Sequence, residues 1–516
     1  MQMLIDPRDW LKALLVGFLL LAASPAGAEL LPRAESIATP AESEALKDLT
    51  GFEPGEQTEA DLVRLDAVLT KLRGATPLRG LVQALRAQIL FDADRFDEAR
   101  DAVEESIRLL PGYSGPLLLA TRVEAYSDRG LEAVSYLLRA SLVDPQFVRA
   151  IPDYELNNIL SRVPQNGGSE LYTQMAERLF AIGWRGEGLI LRSTLAAHVI
   201  AARLDAGSAE SARPLLPHLV DPRDVQWLLM QKRYERFWPA LAEWGGEVQE
   251  RLWPHFLTEL GARWAVSREH DDARAYLGAL AVANRHQRIV TEFLPLFSNL
   301  EEERDYNIQW LAAPLAASLA QLGRWDEVDA LFSKALKTWP AGSDANALNL
   351  LANRGKFRYL RGDFAGAVGD LRAAIADGRR RGGEVSVHAL APMHQVLACS
   401  LHRLGRRAEA DRSIPVVLQH SSSSNIAKLY LCLGRREDAR KALLAGLAIW
   451  PQQDDVVRFV QLENGPPLPN DVARAAASSR RSLAEDPEIL AAVAPYGRVL
   501  PYAAGAGANV AGKPGN

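Results

Sequence analysis

The amino-acid sequence predicts an all-α protein, a solenoid of stacked helical hairpins. Apolar residues recur at helical spacing, short polar breaks separate the helical segments, and strand patterns are almost absent. An internal repeat accompanies this pattern, because Pro111 and Pro145 lie 34 residues apart and Ala99 and Ala133 keep the same spacing. A single hairpin cannot bury its apolar face alone, so a repeat of this period requires neighbouring units to stack.

The first 28 residues differ from the repeats and predict an export signal. Arg8 and Lys12 precede the apolar run ALLVGFLLLAA, and an AxA-type cleavage motif ends at Ala28. This run is too short to span a bilayer, and no later run approaches the ~20 residues of a transmembrane helix. We therefore expect cleavage near Ala28 and a periplasmic or secreted mature protein without a transmembrane segment. The alternatives are a buried N-terminal helix and an uncleaved anchor.

The mature chain divides by the regularity of its pattern. A helix that starts near Thr58 and carries Leu62, Leu65, Leu69 and Leu72 at helical intervals is expected to cap the first repeat. The predicted segments are a signal peptide over 1–28, an acidic segment with the capping helix over 29–77, irregular helical repeats over 78–300, regular repeats over 301–463, and a C-terminal helical remnant with a low-complexity tail over 464–516. In the irregular part, Gly207 and Gly261 are the expected turn positions.

Two consecutive units carry the clearest form of the repeat. The positions that define it are Gly323, Trp325, Phe332, Ala335 and Pro340 in one unit, and Gly362, Phe364, Ala367, Leu371 and Ala374 in the next. These segments resemble the tetratricopeptide repeat (TPR) family, and the resemblance covers about two thirds of the mature chain. It implies a right-handed superhelix that binds proteins along its concave surface and is not an enzyme.

In that family the first helix of each unit lines the concave groove. Gly355, Ala398 and Ala427 align with the close-packed positions of three such helices. The side chains that this alignment places in the groove are Asn349, Asn353, Lys356, Tyr359, Gln395, His402 and Lys428.

The chain has two cysteines, Cys399 and Cys432, on the predicted first helices of neighbouring units. An oxidising compartment favours a disulfide, and two thiols allow one intramolecular pairing. The predicted positions differ by about one helical turn along the axis, which opposes the short Cα separation that a disulfide needs. A disulfide and a pair of small buried apolar residues therefore remain the alternatives.

Charge and motifs exclude several classes of function. The net charge of −5 argues against nucleic acid as a partner. The sequence contains no HExxH, GxSxG or paired-cysteine motif, so no catalytic residues, metal or cofactor are expected. We expect an exported scaffold that binds protein partners in the cell envelope, in a setting such as envelope or exopolysaccharide assembly and secretion.

Two other functions remain open at this stage. The aromatic-rich segment 227–264 would suit an accessory module that binds polysaccharide by ring stacking, although aromatic residues also fill cores. An enzyme hidden in 146–310 is the less favoured alternative. The basic run from Arg379 to Arg381 is either a solvated turn or a patch for an acidic partner.

Overall fold

A computed structural model provides the fold. It describes residues 37–49, 59–127, 129–161, 163, 168–186, 188–245, 251–298, 308–340, 342–343, 345–381, 385–449, 452–463, 465 and 467–501. The predicted signal peptide and the low-complexity tail after Pro501 lie outside these residues. The described residues form helices and no β-strand, which confirms the all-α prediction. None of the described helices is both long and apolar enough to cross a membrane.

The chain forms two compact units that divide between Ala202 and Arg203. Helices of the N-terminal unit are α1 (Ser43–Asp48), α2 (Glu59–Lys71), α3 (Pro77–Asp92), α4 (Phe96–Leu109), α5 (Ser114–Tyr126), α6 (Gly130–Val143), α7 (Pro145–Arg149), α8 (Asp153–Leu160), α9 (Ser169–Ala181) and α10 (Leu189–Asp205), in which the division falls.

The C-terminal unit contains the most regular hairpins. Its helices are α11 (Ala209–Ala212), α12 (Pro222–Met230), α13 (Trp238–Gly245), α14 (Trp253–Ser267), α15 (His270–Val282), α16 (His286–Phe293), α17 (Gln309–Gln321), α18 (Trp325–Thr338), α19 (Ala345–Arg361), α20 (Phe364–Arg380), α21 (Val387–Arg403), α22 (Arg407–Ala410), α23 (Ile414–His420), α24 (Ser423–Cys432), α25 (Arg436–Leu447), α26 (Gln452–Phe459), α27 (Asp471–Ala484) and α28 (Pro487–Val493).

Small residues at the repeat period allow the helices to approach closely. In the N-terminal unit α3 pairs with α4 and α5 pairs with α6, and both Ala99 and Ala133 are fully buried. Ser106 of α4 donates its hydroxyl to the Gly80 carbonyl of α3 over 2.8 Å. A Cβ atom at Gly80 would lie 2.8 Å from side-chain atoms of Leu109 and Leu110, so this glycine allows the end of α4 to approach α3. The 34-residue spacing in the sequence therefore corresponds to successive helical hairpins.

The turns between paired helices need a residue with positive φ, which L side chains rarely adopt. Gly323 has φ +75° between α17 and α18, as the repeat pattern predicts. At two other turns Asp94 (φ +59°) and Asn284 (φ +56°) replace glycine. Aspartate and asparagine are the side chains that tolerate this conformation best, so these turns keep the hairpin geometry without the glycine signature.

One expected turn is wrong. Gly261 lies inside α14, and the turn after that helix is formed at Arg268, which has φ +54°. A Cβ atom at Gly261 would come within 3.1 Å of the Tyr276 ring, so this glycine marks a close crossing of α14 and α15. Gly207, by contrast, has φ +76° and does lie at a turn.

Gly355 is the crossing point of α19 and α20, and it provides a first test of the packing. A Cβ atom there would lie 2.8 Å from Leu371 Cγ, inside the buried core. We expect Gly355→Val to lower the free energy of unfolding by about 1–3 kcal/mol through overpacking. Gly369→Ala on α20 is the matched control, since its added methyl group meets open space. It should stabilise the helix by up to ~1 kcal/mol. Urea unfolding of both variants measures these changes. Equal changes in the free energy of unfolding would show that α19 and α20 do not cross at Gly355.

Candidate functional site

The candidate site is the row of inner helices in the C-terminal unit. Helix α17 packs against α19, α19 against α21, and α21 against α24, although these pairs are not consecutive along the chain. Outer helices lie between them: α18 in the first pair, α20 in the second, and the two short helices α22 and α23 in the third. The predicted groove residues lie on three members of this row: four on α19, two on α21 and one on α24. We call the surface that carries these seven residues the groove.

The four predicted groove residues of α19 differ in how far their side chains already interact within the protein. Asn353 donates its side-chain amide to the Asn349 carbonyl over 2.8 Å, so it is satisfied within its own helix. Tyr359 is half-buried, packs against the hydrophobic core and has its ring 5.8 Å from that of Phe364. Lys356 is exposed and makes no hydrogen bond or ion pair with the described residues. Among the four, Lys356 is therefore the side chain most available to a partner.

The other predicted groove residues come from α21 and α24. Gln395 and His402 are half-buried on α21. Lys428 on α24 is exposed, and its ammonium group lies 3.3 Å from Asn425 Oδ1. These three residues are placed on the expected helices, and their role in binding stays a prediction.

Burial and like charge make the groove lysines unusual. Both residues are exposed, yet the protein around the side chain of Lys356 partly desolvates it and lowers its pKa. Burial also lowers the pKa of Lys428, the positive charges of Arg480 and Lys356 lower it further, and the carboxylate of Asp455 opposes part of this shift. Lys356 and Lys428 therefore interact although their helices are separated by α21 in the row. A groove with this charge favours an anionic group, which would replace part of the lost hydration.

The sequence did not predict that α27 lies against this row. Helix α27 packs against both α19 and α24, and its Arg480 is the residue that repels Lys428. The N-terminus of α27 is well defined, because the Asn470 side chain accepts a hydrogen bond from the Ala473 amide over 2.9 Å. Asparagine is a favoured N-cap residue, so a helix start was detectable in the sequence, whereas its contact with the groove was not.

The structure joins Cys399 and Cys432 in a disulfide between α21 and α24, with a Cα–Cα distance of 5.7 Å. Cys399 is buried in the hydrophobic core of the unit, and Cys432 packs against that core. The intervening unit is short, since only α22 and α23 lie between the two helices. The expected offset of one helical turn is therefore absent, and the pairing itself stays a prediction for solution.

The basic run is largely paired. Arg380 and Arg381 contact the buried carboxylate of Asp377 at 2.9 and 3.2 Å, and Arg381 also donates to the Gly342 carbonyl. Arg379 is exposed. The run therefore closes the end of α20 by ion pairing, and one of its three guanidinium groups is left for a partner.

The aromatic segment is part of the core. None of its eight large rings is exposed: five are buried and three are half-buried. The buried rings are Tyr234, Phe237, Trp253, Phe256 and Trp264, and the half-buried rings are Trp227, Trp238 and Trp244. Each half-buried indole donates its N–H group within the unit, to Asp454, Leu228 and Leu219 respectively. A sugar-stacking platform needs open ring faces, so the structure does not support the polysaccharide alternative.

No group of three or more histidine, cysteine, aspartate or glutamate side chains in the described part of the chain is arranged to hold a metal ion. Two of the histidines near the groove have partners inside the fold. His394 is buried against Ser413 with 3.2 Å between Nδ1 and Oγ, and burial lowers its pKa. His388 Nδ1 lies 3.3 Å from the His420 carbonyl.

Comparisons with known proteins give distant structural similarities. No protein-family model matches the chain, and no curated protein is similar to it in sequence. One similar solved structure is titled "Crystal structure of APC/C hetero-tetramer Cut9-Hcn1", with 13% identity, a TM-score of 0.28, and coverage of 77% of this chain and 81% of that chain. Another is titled "Structure of Naa15/Naa10 bound to HypK-THB", with 12% identity, a TM-score of 0.25, and coverage of 87% and 67%. Neither assigns a family or a partner to this chain, and the fold rests on the helices described above.

Proposed function

We propose that this protein is a scaffold that binds an acidic segment of a protein partner through the groove. The observation that carries the proposal is the pair Lys356 and Lys428, two exposed lysines on helices of the same row, whose pKa values burial lowers and whose positive charges repel each other. Keeping two like charges together is unfavourable, and a bound carboxylate relieves both the repulsion and the missing hydration. A row of stacked helices also supplies the extended surface that repeat proteins use for binding.

We further propose that the protein works outside the cytoplasm, in cell-envelope or exopolysaccharide assembly or secretion. The support is the tripartite N-terminus that ends at Ala28. A disulfide between Cys399 and Cys432 is compatible with this setting, because disulfides persist in oxidising compartments.

Export gives a direct prediction. Intact-mass analysis of the protein purified from its native host is expected to show a chain that begins at Glu29. A mature chain that retains Met1, or a protein found in the cytoplasmic fraction alone, would contradict export.

Groove binding is tested by site-specific photocrosslinking in the native host. A benzoylphenylalanine at position 402 reports on the groove, and the same residue at position 412, an exposed site in the turn before α23, is the matched control. We expect a discrete protein adduct from position 402 and none from 412. The double variant Lys356→Met and Lys428→Met should lower the adduct yield about tenfold.

Tyr359 is left unchanged in this experiment because it packs against the core. The helical circular dichroism signal of the double variant should match that of the wild type. Equal adducts from both positions, or an adduct that does not depend on the lysines, would contradict the proposal.

A further inference from the structure

The two ends of the C-terminal unit meet. The Lys232 amide donates to the Tyr496 carbonyl and the Arg498 amide donates to the Met230 carbonyl, each over 2.9 Å. The Arg498 guanidinium lies 3.6 Å from the centre of the Trp238 ring and donates to the Leu229 carbonyl. The segment that follows α28 is therefore bound to the segment that follows α12, and this contact closes the unit on itself.

An open cavity of about 670 Å³ lies beside this contact. Its walls come from α12, α15, α19, α26, α27, the segment between α26 and α27, and the segment after α28, and they are mostly apolar. Trp227, Met230, Leu360, Leu468 and Leu500 contribute the larger apolar side chains, and the Ala476 side of α27 completes the wall. This volume is within the range of about 300–1,000 Å³ that small-molecule sites occupy.

The charged side chains that line this cavity favour a ligand with one negative charge. Three arginines and one glutamate line it, which leaves a positive excess. Arg223 is paired with Asp221, and Arg480 is paired with Glu463 at 2.8 Å. Arg458 is exposed, and its guanidinium group makes no hydrogen bond or ion pair with the described residues. Its positive charge interacts with the carboxylate of Asp454 at longer range.

A second observation also points to a ligand. Gln226 lines the same cavity and is 97% buried, with a relative exposure of 3%. Its side-chain amide nitrogen has no hydrogen-bond partner among the described residues. An unpaired buried amide is unfavourable, so a ligand oxygen that came within hydrogen-bond distance of this nitrogen would be stabilised there.

From these groups we propose that the cavity binds an amphiphilic monoanion, with its apolar body against the leucines and Trp227 and its anionic head at Arg458. A neutral apolar ligand would leave the free guanidinium unpaired, and a cation would be repelled by it. This site contains none of the seven groove residues, although Arg480 lies beside both, and it does not depend on the proposed scaffold function.

The probe is anilinonaphthalene sulfonate, which combines an apolar ring body with one anionic head. Fluorescence titration of the full-length protein is expected to saturate at one probe per chain. Ala476→Leu, which fills the cavity, should weaken binding by about tenfold or more. Ala475→Leu is the matched control, an adjacent exposed position of α27 that does not line the cavity, and it should change the affinity by less than about twofold.

The head-group assignment is tested separately. Arg458→Gln should weaken the sulfonate probe about tenfold but change binding of neutral N-phenylnaphthylamine by less than about twofold. Arg412→Gln, which removes an exposed arginine outside the cavity, should leave both affinities unchanged. Displacement of the sulfonate probe by dodecanoate and by dodecyl phosphate shows whether the site prefers a carboxylate or a phosphate head group. Dodecyltrimethylammonium should not displace the probe.

Three results would overturn the proposal: unsaturable binding, equal affinities in the Ala476→Leu and Ala475→Leu variants, or a sulfonate affinity that Arg458→Gln leaves intact. If the melting temperatures of the four variants match that of the wild type, a change in binding does not result from a change in folding. Failure of the photocrosslinking experiment would leave this result unaffected, because the two sites share none of the substituted residues.

Discussion

Replacing Cys399 and Cys432 together with alanine is expected to lower the free energy of unfolding of the C-terminal unit by about 3–4 kcal/mol. The two residues are separated by 33 positions, and a disulfide across a loop of this length removes that much chain entropy from the unfolded state. Alanine is preferred to serine because Cys399 is buried and a hydroxyl would lose its hydration. The urea midpoint of the double variant, compared with the oxidised wild type, measures the loss.

Reductant provides the control for this prediction. It should destabilise the wild type by a similar amount and leave the Cys399→Ala, Cys432→Ala variant unchanged. Thiol titration of the unfolded, unreduced protein should find no free thiol. Two free thiols per chain, or a wild type that does not respond to reductant, would show that the bond does not form.

The hairpins were predictable because their physical cause is local. Helix pairs cross where a small residue lies, so Ala99, Ala133 and Gly355 mark crossings in the sequence as well as in the structure. Glycine has two uses, however, and sequence does not separate them. Gly323 supplies positive φ at a turn, whereas Gly261 allows Tyr276 to approach a helix.

The cavity was not predictable from sequence. The contacts that bring its walls together join residues more than 200 positions apart, as between Trp227 and Asp454, which are separated by 227 positions. Several of them are hydrogen bonds to backbone groups, such as Arg498 to the Leu229 carbonyl, and backbone atoms carry no residue signature. The sequence left open whether the aromatic residues near Trp238 form a sugar-binding surface or part of the core. The residues that surround them in the structure show that they belong to the core.

The disulfide illustrates an intermediate case. The sequence offered one possible pair, but the expected register of α21 and α24 opposed it. The outer part of the intervening unit is broken into α22 and α23, with Pro415 at the start of α23. This shorter connection changes the register of the next inner helix and brings the two Cα atoms to 5.7 Å. The sequence already indicates a short unit, since Ala410 and Ala439 lie 29 residues apart, and a compensating change of register was therefore conceivable. Whether the change suffices for a disulfide depends on tertiary packing.

Asp370→Ala is expected to lower the free energy of unfolding by about 3–5 kcal/mol. Asp370 has a side chain that is 7% exposed, and it accepts two hydrogen bonds from Arg354 at 2.7 and 2.8 Å and one from Arg358 at 2.9 Å. Its removal leaves the Arg354 guanidinium, whose side chain is 18% exposed, without this carboxylate, whereas Arg358 keeps Asp329 and Asp363, each at 3.8 Å. The loss is large because the desolvation of the Arg354 guanidinium would no longer be offset.

Asp326→Ala is the matched control for this ion pair. Asp326 also contacts an arginine, Arg361, at 2.7 Å, but its side chain is 93% exposed. Exposed pairs contribute about 0–1 kcal/mol and are screened by salt. Urea unfolding at low and high sodium chloride concentration should therefore show a large, salt-resistant loss for Asp370→Ala and a small, salt-sensitive one for Asp326→Ala. If the two variants unfold alike, the carboxylate of Asp370 does not hold α19 and α20 together, and these helices are held by their apolar contacts.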